Sequence, residues 1–171
     1  MVALLKPGKD LSQSRSYRPI SLLSHLYKLL ERLNRLIPFV EKHLIKEQAG
    51  FRPGRSTTGQ LVKLTQHIKD GFHTKETTGA VFVDLTAAYD TVNHRLLLQK
   101  VLMMTNGLHL TQFLGEMLSN RRFFVLLNNK KGRLRLQKNG LPQGSVLAPL
   151  LYNIYTNDQP LDLQTNKFRV C

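Results

Sequence analysis

One carboxylate in this chain is placed as if for chemistry. Asp84 stands near the end of Ala80-Val-Phe-Val-Asp-Leu85, a short apolar run rich in β-branched and aromatic residues. Burying a lone carboxylate is costly, so Asp84 is expected to be paired or to hold a cation. Phosphate chemistry uses such an Asp for Mg²⁺, a hard ion that takes oxygen ligands and few protein carboxylates. Read alone, the residue suits two roles equally: cation ligand, or cap of the helix that follows. Asp90 reads as a helix-start residue.

Cations form the second set. The chain of 171 residues carries 25 Lys and Arg against 11 Asp and Glu, a formal net charge of +14. No acidic residue lies between Glu116 and Asp158, a stretch that holds Arg121, Arg122, Lys130, Lys131, Arg133, Arg135 and Lys138. Electrostatics then favours a polyanion partner, above all nucleic acid, over a basic surface that binds nothing in particular. Arg52 and Arg55 sit in a Gly/Pro loop, Glu47 to Ser56, suited to touching phosphates. The loop is not a P-loop, because Gly50 and Gly54 are too close and Arg55 stands where Lys is required. Gln143 lies in a turn between Pro142 and Gly144, where a tight lead into a helix is the plain alternative.

Elements must hold these residues in place. Residues 1–20 read as a loop-rich entry, with Pro7-Gly8 a turn and Pro19 disfavouring helix at Arg18. From Leu22 to Ile37 leucines recur at helical spacing, and Pro38 is expected to kink or restart that helix. Thr57 or Thr58 is expected to cap a helix burying Leu61, Leu64, Ile68 and Phe72. Residues 80–85 are expected to form a buried strand. A helix from about Asn93 to Met104 should turn Leu96, Leu97, Val101 and Met104 inward and stop at Gly107. Thr111 to Leu118 reads as another helix. Phe123–Leu127 and Arg133–Gln137 read as a hairpin whose second strand has one solvated basic face. Val146 to Tyr155 reads as a last apolar helix. Mixed helices and strands without regular βαβ alternation favour an α+β fold in one domain. No apolar run approaches the roughly 20 residues of a membrane span. One cysteine excludes a disulfide scaffold and fits a reducing intracellular compartment.

Four blocks carry a family resemblance. Val81-Phe-Val-Asp84-Leu-Thr-Ala-Ala-Tyr89-Asp90 resembles the first catalytic motif of reverse transcriptases, most closely those of non-LTR (LINE-type) retrotransposons. Ser16-Tyr-Arg18-Pro-Ile-Ser-Leu-Leu-Ser24 resembles their fingers motif. Gln48-Ala-Gly-Phe-Arg-Pro-Gly-Arg-Ser-Thr57 resembles the segment ahead of the catalytic strand. Asn139-Gly-Leu-Pro-Gln143-Gly144-Ser-Val-Leu-Ala-Pro149-Leu-Leu-Tyr-Asn153 resembles the next palm motif. The blocks occur in family order and cover most of the chain.

The resemblance implies part of a right-hand polymerase, with fingers-like residues 1–78 and a partial palm at 79–171. The implied reaction is template-directed nucleotidyl transfer from a dNTP to a DNA primer on an RNA template, with two Mg²⁺ ions. Asp84 matches the metal-binding Asp of the first palm motif, with the Leu85 backbone carbonyl as a further ligand. Tyr89 matches the aromatic under the incoming sugar, where a ring collides with a 2′-hydroxyl; without the motif, core packing is its better role. Arg18 matches the triphosphate-gripping arginine, with Lys6 or Lys9 as its partner. Gln143 and Gly144 match residues beside the incoming nucleotide, and Arg52 and Arg55 become template contacts. The family also carries two adjacent acids on a palm hairpin. This sequence has no adjacent acidic pair, and Asp158 and Asp162 are poor substitutes for one. The expectation is therefore a chain cut before that motif, with the Asp84 strand left as an unpaired edge, and inactive on its own. Two other readings stay open: an inactive remnant that only binds nucleic acid, and an unrelated basic binding protein such as a ribosome-associated one.

Overall fold

The chain's entry forms strands rather than a loop. In the computed structural model, which describes residues 1–25, 27–29 and 36–159, β1 (Val2–Leu5) pairs antiparallel with β2 (Tyr17–Ile20). Pro19 has no N–H to give a ladder, so β2 can only be an edge strand, and its place at the end of a four-stranded sheet, next to β1, agrees. The Ser12 backbone N–H, joined by the Ser12 hydroxyl, donates to Asp10 in the connection and holds that carboxyl below its ordinary pKa. The sequence shows none of this because the other partner of β1 is remote. β4 (Leu126–Leu127) runs parallel to β1, and the Leu126 N–H donates to the Met1 carbonyl at 2.9 Å.

The expected hairpin is present but broken in two. β3 (Arg121–Phe123) pairs with β6 (Arg135–Gln137), while β4 leaves for the first sheet and pairs with β5 (Lys130–Lys131). Leu134 and Leu136 are exposed, so β6 does not have the alternating faces its sequence suggests.

Helices supply most of the core. α1 (Leu36–Glu41), α2 (Thr57–His73), α3 (His94–Thr105), α4 (Leu108–Leu118) and α5 (Ala148–Tyr155) follow in chain order. Local chemistry explains their ends. The Asn93 side chain caps α3 by accepting from the Leu96 N–H at 3.1 Å. Asn106, in the left-handed region at φ 49°, stops α3 one residue before the expected Gly107. Ser56 rather than a threonine caps α2, accepting from the Gly59 N–H. Leu36 and Val40 of α1, Leu97 and Val101 of α3, Leu114 and Leu118 of α4, and Leu151 and Ile154 of α5 meet in one buried cluster. Of the helix expected from Leu22, His25 and Tyr27–Leu29 are helical; residues 26 and 30–35 lie outside the described residues.

Three expectations about burial are corrected. Leu96 points outward, because the face of α3 that packs into the core carries Leu97 and Val101, four residues apart. α2 exposes Leu61 and Phe72 and buries only Gln60 and Gly71, since no described element covers its apolar face. Residues 80–85 are neither a strand nor buried: Val81, Phe82 and Val83 are 90%, 83% and 82% exposed. An apolar run becomes a buried strand only where neighbours take its backbone hydrogen bonds and cover its faces. No described strand pairs with this one. The architecture is mixed α and β, with no helix among the described residues long and apolar enough to cross a membrane.

Candidate functional site

Two turns far apart in sequence clasp each other and build a cleft. The Leu141 N–H donates to the Tyr89 carbonyl and the Gly140 N–H to the Val92 carbonyl, both at 2.8 Å. His94 Nε2 lies 2.7 Å from the Gly140 oxygen. The approach is close enough to require glycine: a Cβ on Gly140, at φ +85°, would stand 2.8 Å from the Asp90 oxygen. Asp90 lies in the turn ahead of α3 rather than at the helix start, its N–H bonded to the Ala87 carbonyl.

Tyr89 is held from both ends. Its backbone is pinned by Leu141, and its ring stacks on Tyr152 of α5 with centroids 4.9 Å apart and planes 12° from parallel. The ring is half-buried and lines a cavity of about 460 Å³ with Phe51, Ala87, Ala88, Gln143, Gly144, Ser145, Ala148 and Pro149. That volume lies within the range of small-ligand sites. Tyr89, Gln143 and Gly144, singled out separately in the sequence, therefore share one cleft.

The same turn reaches the first sheet. The Ser21 N–H, just past β2, donates to the Gln143 carbonyl at 2.8 Å, and Gly144 packs so close that a Cβ would lie 3.1 Å from the Ser21 oxygen. Arg18 is exposed on β2 opposite Leu4. The Lys6 N–H continues the pairing by donating to the Ser16 carbonyl, which sets Lys6 and Arg18 on one face of the ribbon. The Lys6 ammonium donates to the Arg15 carbonyl at 3.0 Å. Lys9 lies beyond, in the turn closed by its N–H to the Lys6 carbonyl.

The Arg52 guanidinium, expected to contact a template, is turned inward onto Glu41 and backbone carbonyls. Its Nη2 lies 2.6 Å from Glu41 Oε1, and its Nη1 donates to the Ile45 and Gln48 carbonyls at 2.6 and 2.9 Å. The residue is 7% exposed, so its donors are taken and water cannot reach it. Arg55 is half-buried and donates to the Lys46 carbonyl. Asn153 of α5 completes this loop's support: it accepts from Gln48 Nε2 and donates to the Gly50 carbonyl, each at 2.8 Å.

Asp84 is exposed on the open 80–85 segment, and Leu85 is 45% exposed. No group of three or more His, Cys, Asp or Glu able to hold a metal occurs among the described residues. One exposed carboxylate with a neighbouring carbonyl does not make a Mg²⁺ site, since the ion gives up its water only for a near-octahedral oxygen set. The described residues by themselves thus do not complete a Mg²⁺ site. Asp158 is engaged elsewhere, 2.5 Å from Lys100 Nζ, and Asp162 lies outside the described residues. Arg122, Lys130, Lys131, Arg133, Arg135 and Lys138 are all exposed on or beside the two small sheets.

Phe51, Tyr152 and Asn153 are site residues that sequence reasoning did not select. All three lie inside the blocks that carry the family resemblance, and Tyr152 and Asn153 are also polar groups inside an apolar helix. Nothing in the sequence marks the backbone turn at Phe51.

Comparison with known proteins agrees with the motifs. Residues 5–171 match the family described as reverse transcriptase (RNA-dependent DNA polymerase). The chain is 44% identical over 167 residues to the probable RNA-directed DNA polymerase from transposon BS of Drosophila melanogaster, covering 94% of this chain and 18% of that protein. It is 37% identical over 164 residues to the RNA-directed DNA polymerase from mobile element jockey of Drosophila funebris, with the same shares of 94% and 18%. The corresponding protein from transposon X-element of Drosophila melanogaster is 37% identical over 91% of this chain and 17% of its own length. The chain thus spans under one fifth of the length of these relatives. It belongs to the reverse transcriptase (RNA-dependent DNA polymerase) family, on its non-LTR retrotransposon side.

Proposed function

We propose that this chain supplies the nucleotide-binding part of an RNA-directed DNA polymerase, with residues 1–78 acting as fingers and 79–171 as part of a palm. The observation that carries the reading is the clasp. It sets Tyr89, Gln143 and Gly144 around one cleft and hydrogen-bonds that cleft's turn to the end of the strand that bears Arg18. In this reading a dNTP lies with its sugar over the Tyr89 ring. The Tyr152 stack holds that ring in place, so a 2′-hydroxyl meets a surface that cannot retreat. Arg18 and Lys6 take the triphosphate, Arg18 through its paired donors. Gln143 and the Gly144 backbone border the base and its template partner. Arg55 and the exposed cations of the acid-free stretch hold the template and primer phosphates. Asp84 and the Leu85 carbonyl are the ligands this chain would add to a divalent-metal site, which needs further oxygen ligands to be complete.

The experiment is a graft. The chain replaces the matching segment of the jockey polymerase, and primer extension on an RNA template is measured with dNTPs and then rNTPs. The graft should extend the primer. Asp84→Asn should abolish extension, and Tyr89→Ala should raise rNTP use relative to dNTP. A silent graft beside an active parent, or an active Asp84→Asn graft, overturns the reading. The lone exposed Asp84 also favours a second reading for the chain by itself: nucleic-acid binding without extension. Purified alone, it should bind RNA and fail to extend.

A further inference from the structure

Phe51 has a conformation that its own residue type disfavours. Its backbone lies in the left-handed region at φ 54°, rare for a bulky aromatic side chain. Such a turn persists only where the surroundings over-determine it, and here both neighbours are fixed. The Gly50 carbonyl accepts from Asn153 Nδ2 at 2.8 Å, and Arg52 is locked to Glu41, Ile45 and Gln48. Between these anchors the ring is thrust outward. It is 61% exposed, yet it lines the cleft that Tyr89, Gln143 and Gly144 share.

A large ring turned out along a cleft by an anchored backbone suits a flat partner. We propose that Phe51 is a base-stacking residue, whose face carries a nucleobase at the cleft. The chemistry of the cleft selects that ligand. Its walls are another aromatic, small alanines and one amide, which suit a flat heterocycle with a polar edge. The chain's +14 charge brings a polyanion to it, and every base offers a π face. The proposal rests on the polymerase reading and adds to it a contact to the base, where Arg18 and Lys6 contact phosphate. The base belongs either to the bound strand or to a free nucleotide.

The chain contains no tryptophan, so Phe51→Trp installs a single indole reporter. Its emission is followed against a 16-mer of deoxythymidylate, an abasic 16-mer with the same backbone, and dATP alone. Quenching by the 16-mer or by dATP, but not by the abasic strand, is the expected result, and which of the two quenches identifies the source of the base. In anisotropy titrations Phe51→Ala should weaken binding to the base-bearing ligand about 5- to 150-fold, the equivalent of 1–3 kcal/mol at 1.36 kcal/mol per tenfold. Binding to the abasic strand should not change. Phe51→Asn suits the left-handed backbone, so it should melt no lower than the parent while losing the same affinity. Salt-sensitive binding that treats the two strands alike, with an unquenched indole, overturns this proposal and leaves the polymerase reading standing. A parent chain with no salt-sensitive binding to either strand overturns both.

Discussion

Arg52→Ala separates the buried role of this side chain from the template contact its loop suggests. In the folded chain Arg52 bonds to the Glu41 carboxylate through two nitrogens, at 2.9 and 2.6 Å, and to the backbone carbonyls of Glu41, Ile45 and Gln48. Truncation takes a donor from the Glu41 carboxylate and from these carbonyls, of which Ile45 keeps the Gln48 N–H. Breaking a buried ion pair from one side costs about 3–5 kcal/mol. The Glu41 side chain is 34% exposed and regains water, which moves the pair toward or below the lower end. A carbonyl left with no donor adds about 1 kcal/mol where water does not reach it. A net loss of about 3 kcal/mol follows, a large share of the roughly 5–15 kcal/mol that holds a domain together. At about 2–4 °C per kcal/mol for a chain of this size, the melting temperature should fall by roughly 6–12 °C. Urea unfolding followed by circular dichroism measures the loss, and the slope m should stay unchanged. Arg52→Lys should recover little, because an ammonium cannot reproduce the planar fork. Well below the melting temperature, RNA affinity and its salt slope should match the parent's. An unchanged midpoint together with a salt slope reduced by about 0.7–0.9 would place Arg52 on a phosphate and refute the buried role.

Other expectations follow from the same geometry. Gly140→Ala should destabilise the chain by more than about 1 kcal/mol, since its Cβ meets the Asp90 backbone at 2.8 Å and its φ is +85°; a neutral effect in urea unfolding would deny the close approach. Amides of residues 80–85 should exchange almost freely while those of α3 and α5 are protected, because no ladder bonds cover the former; strong protection at 80–85 in a monomer would show that another segment pairs there. Replacing the exposed Arg122, Arg133 and Lys138 by Ala should lower the salt slope of single-stranded RNA binding by about 0.7 for each phosphate that is no longer neutralised; an unchanged slope would remove this face from the interface.

Much of the helical frame was legible locally. The helix start at about Asn93, the stop near Gly107 and the apolar spacing of Leu97 and Val101 all lie within a few residues, and α3 runs from His94 to Thr105 as they suggest. Tyr89, Gln143 and Gly144 were legible as motif residues, and they share a cleft. Other readings failed for one reason. Val2–Leu5 looked like loop because its partners lie at Tyr17–Ile20 and Leu126. Residues 80–85 looked like a buried strand because strand propensity says nothing about whether a partner is present.

By itself, then, the sequence determined the family, the charge that draws a polyanion, and the helices whose caps and periodicity are complete within one or two turns. Only the tertiary structure decided which cations face water and which do not. Arg52 and Arg55 look alike in sequence, yet one is sealed against Glu41 and the other is half-buried, bonded to the Lys46 carbonyl. It also decided that Phe51 is turned out into the cleft while Gly50 and Arg52 on either side are pinned inward. The physical reason is range. A cap or an amphipathic stripe is settled by neighbours along the chain. Burial, ladder pairing and the donors left free on a guanidinium are settled by segments a hundred residues apart, such as Gln48 with Asn153.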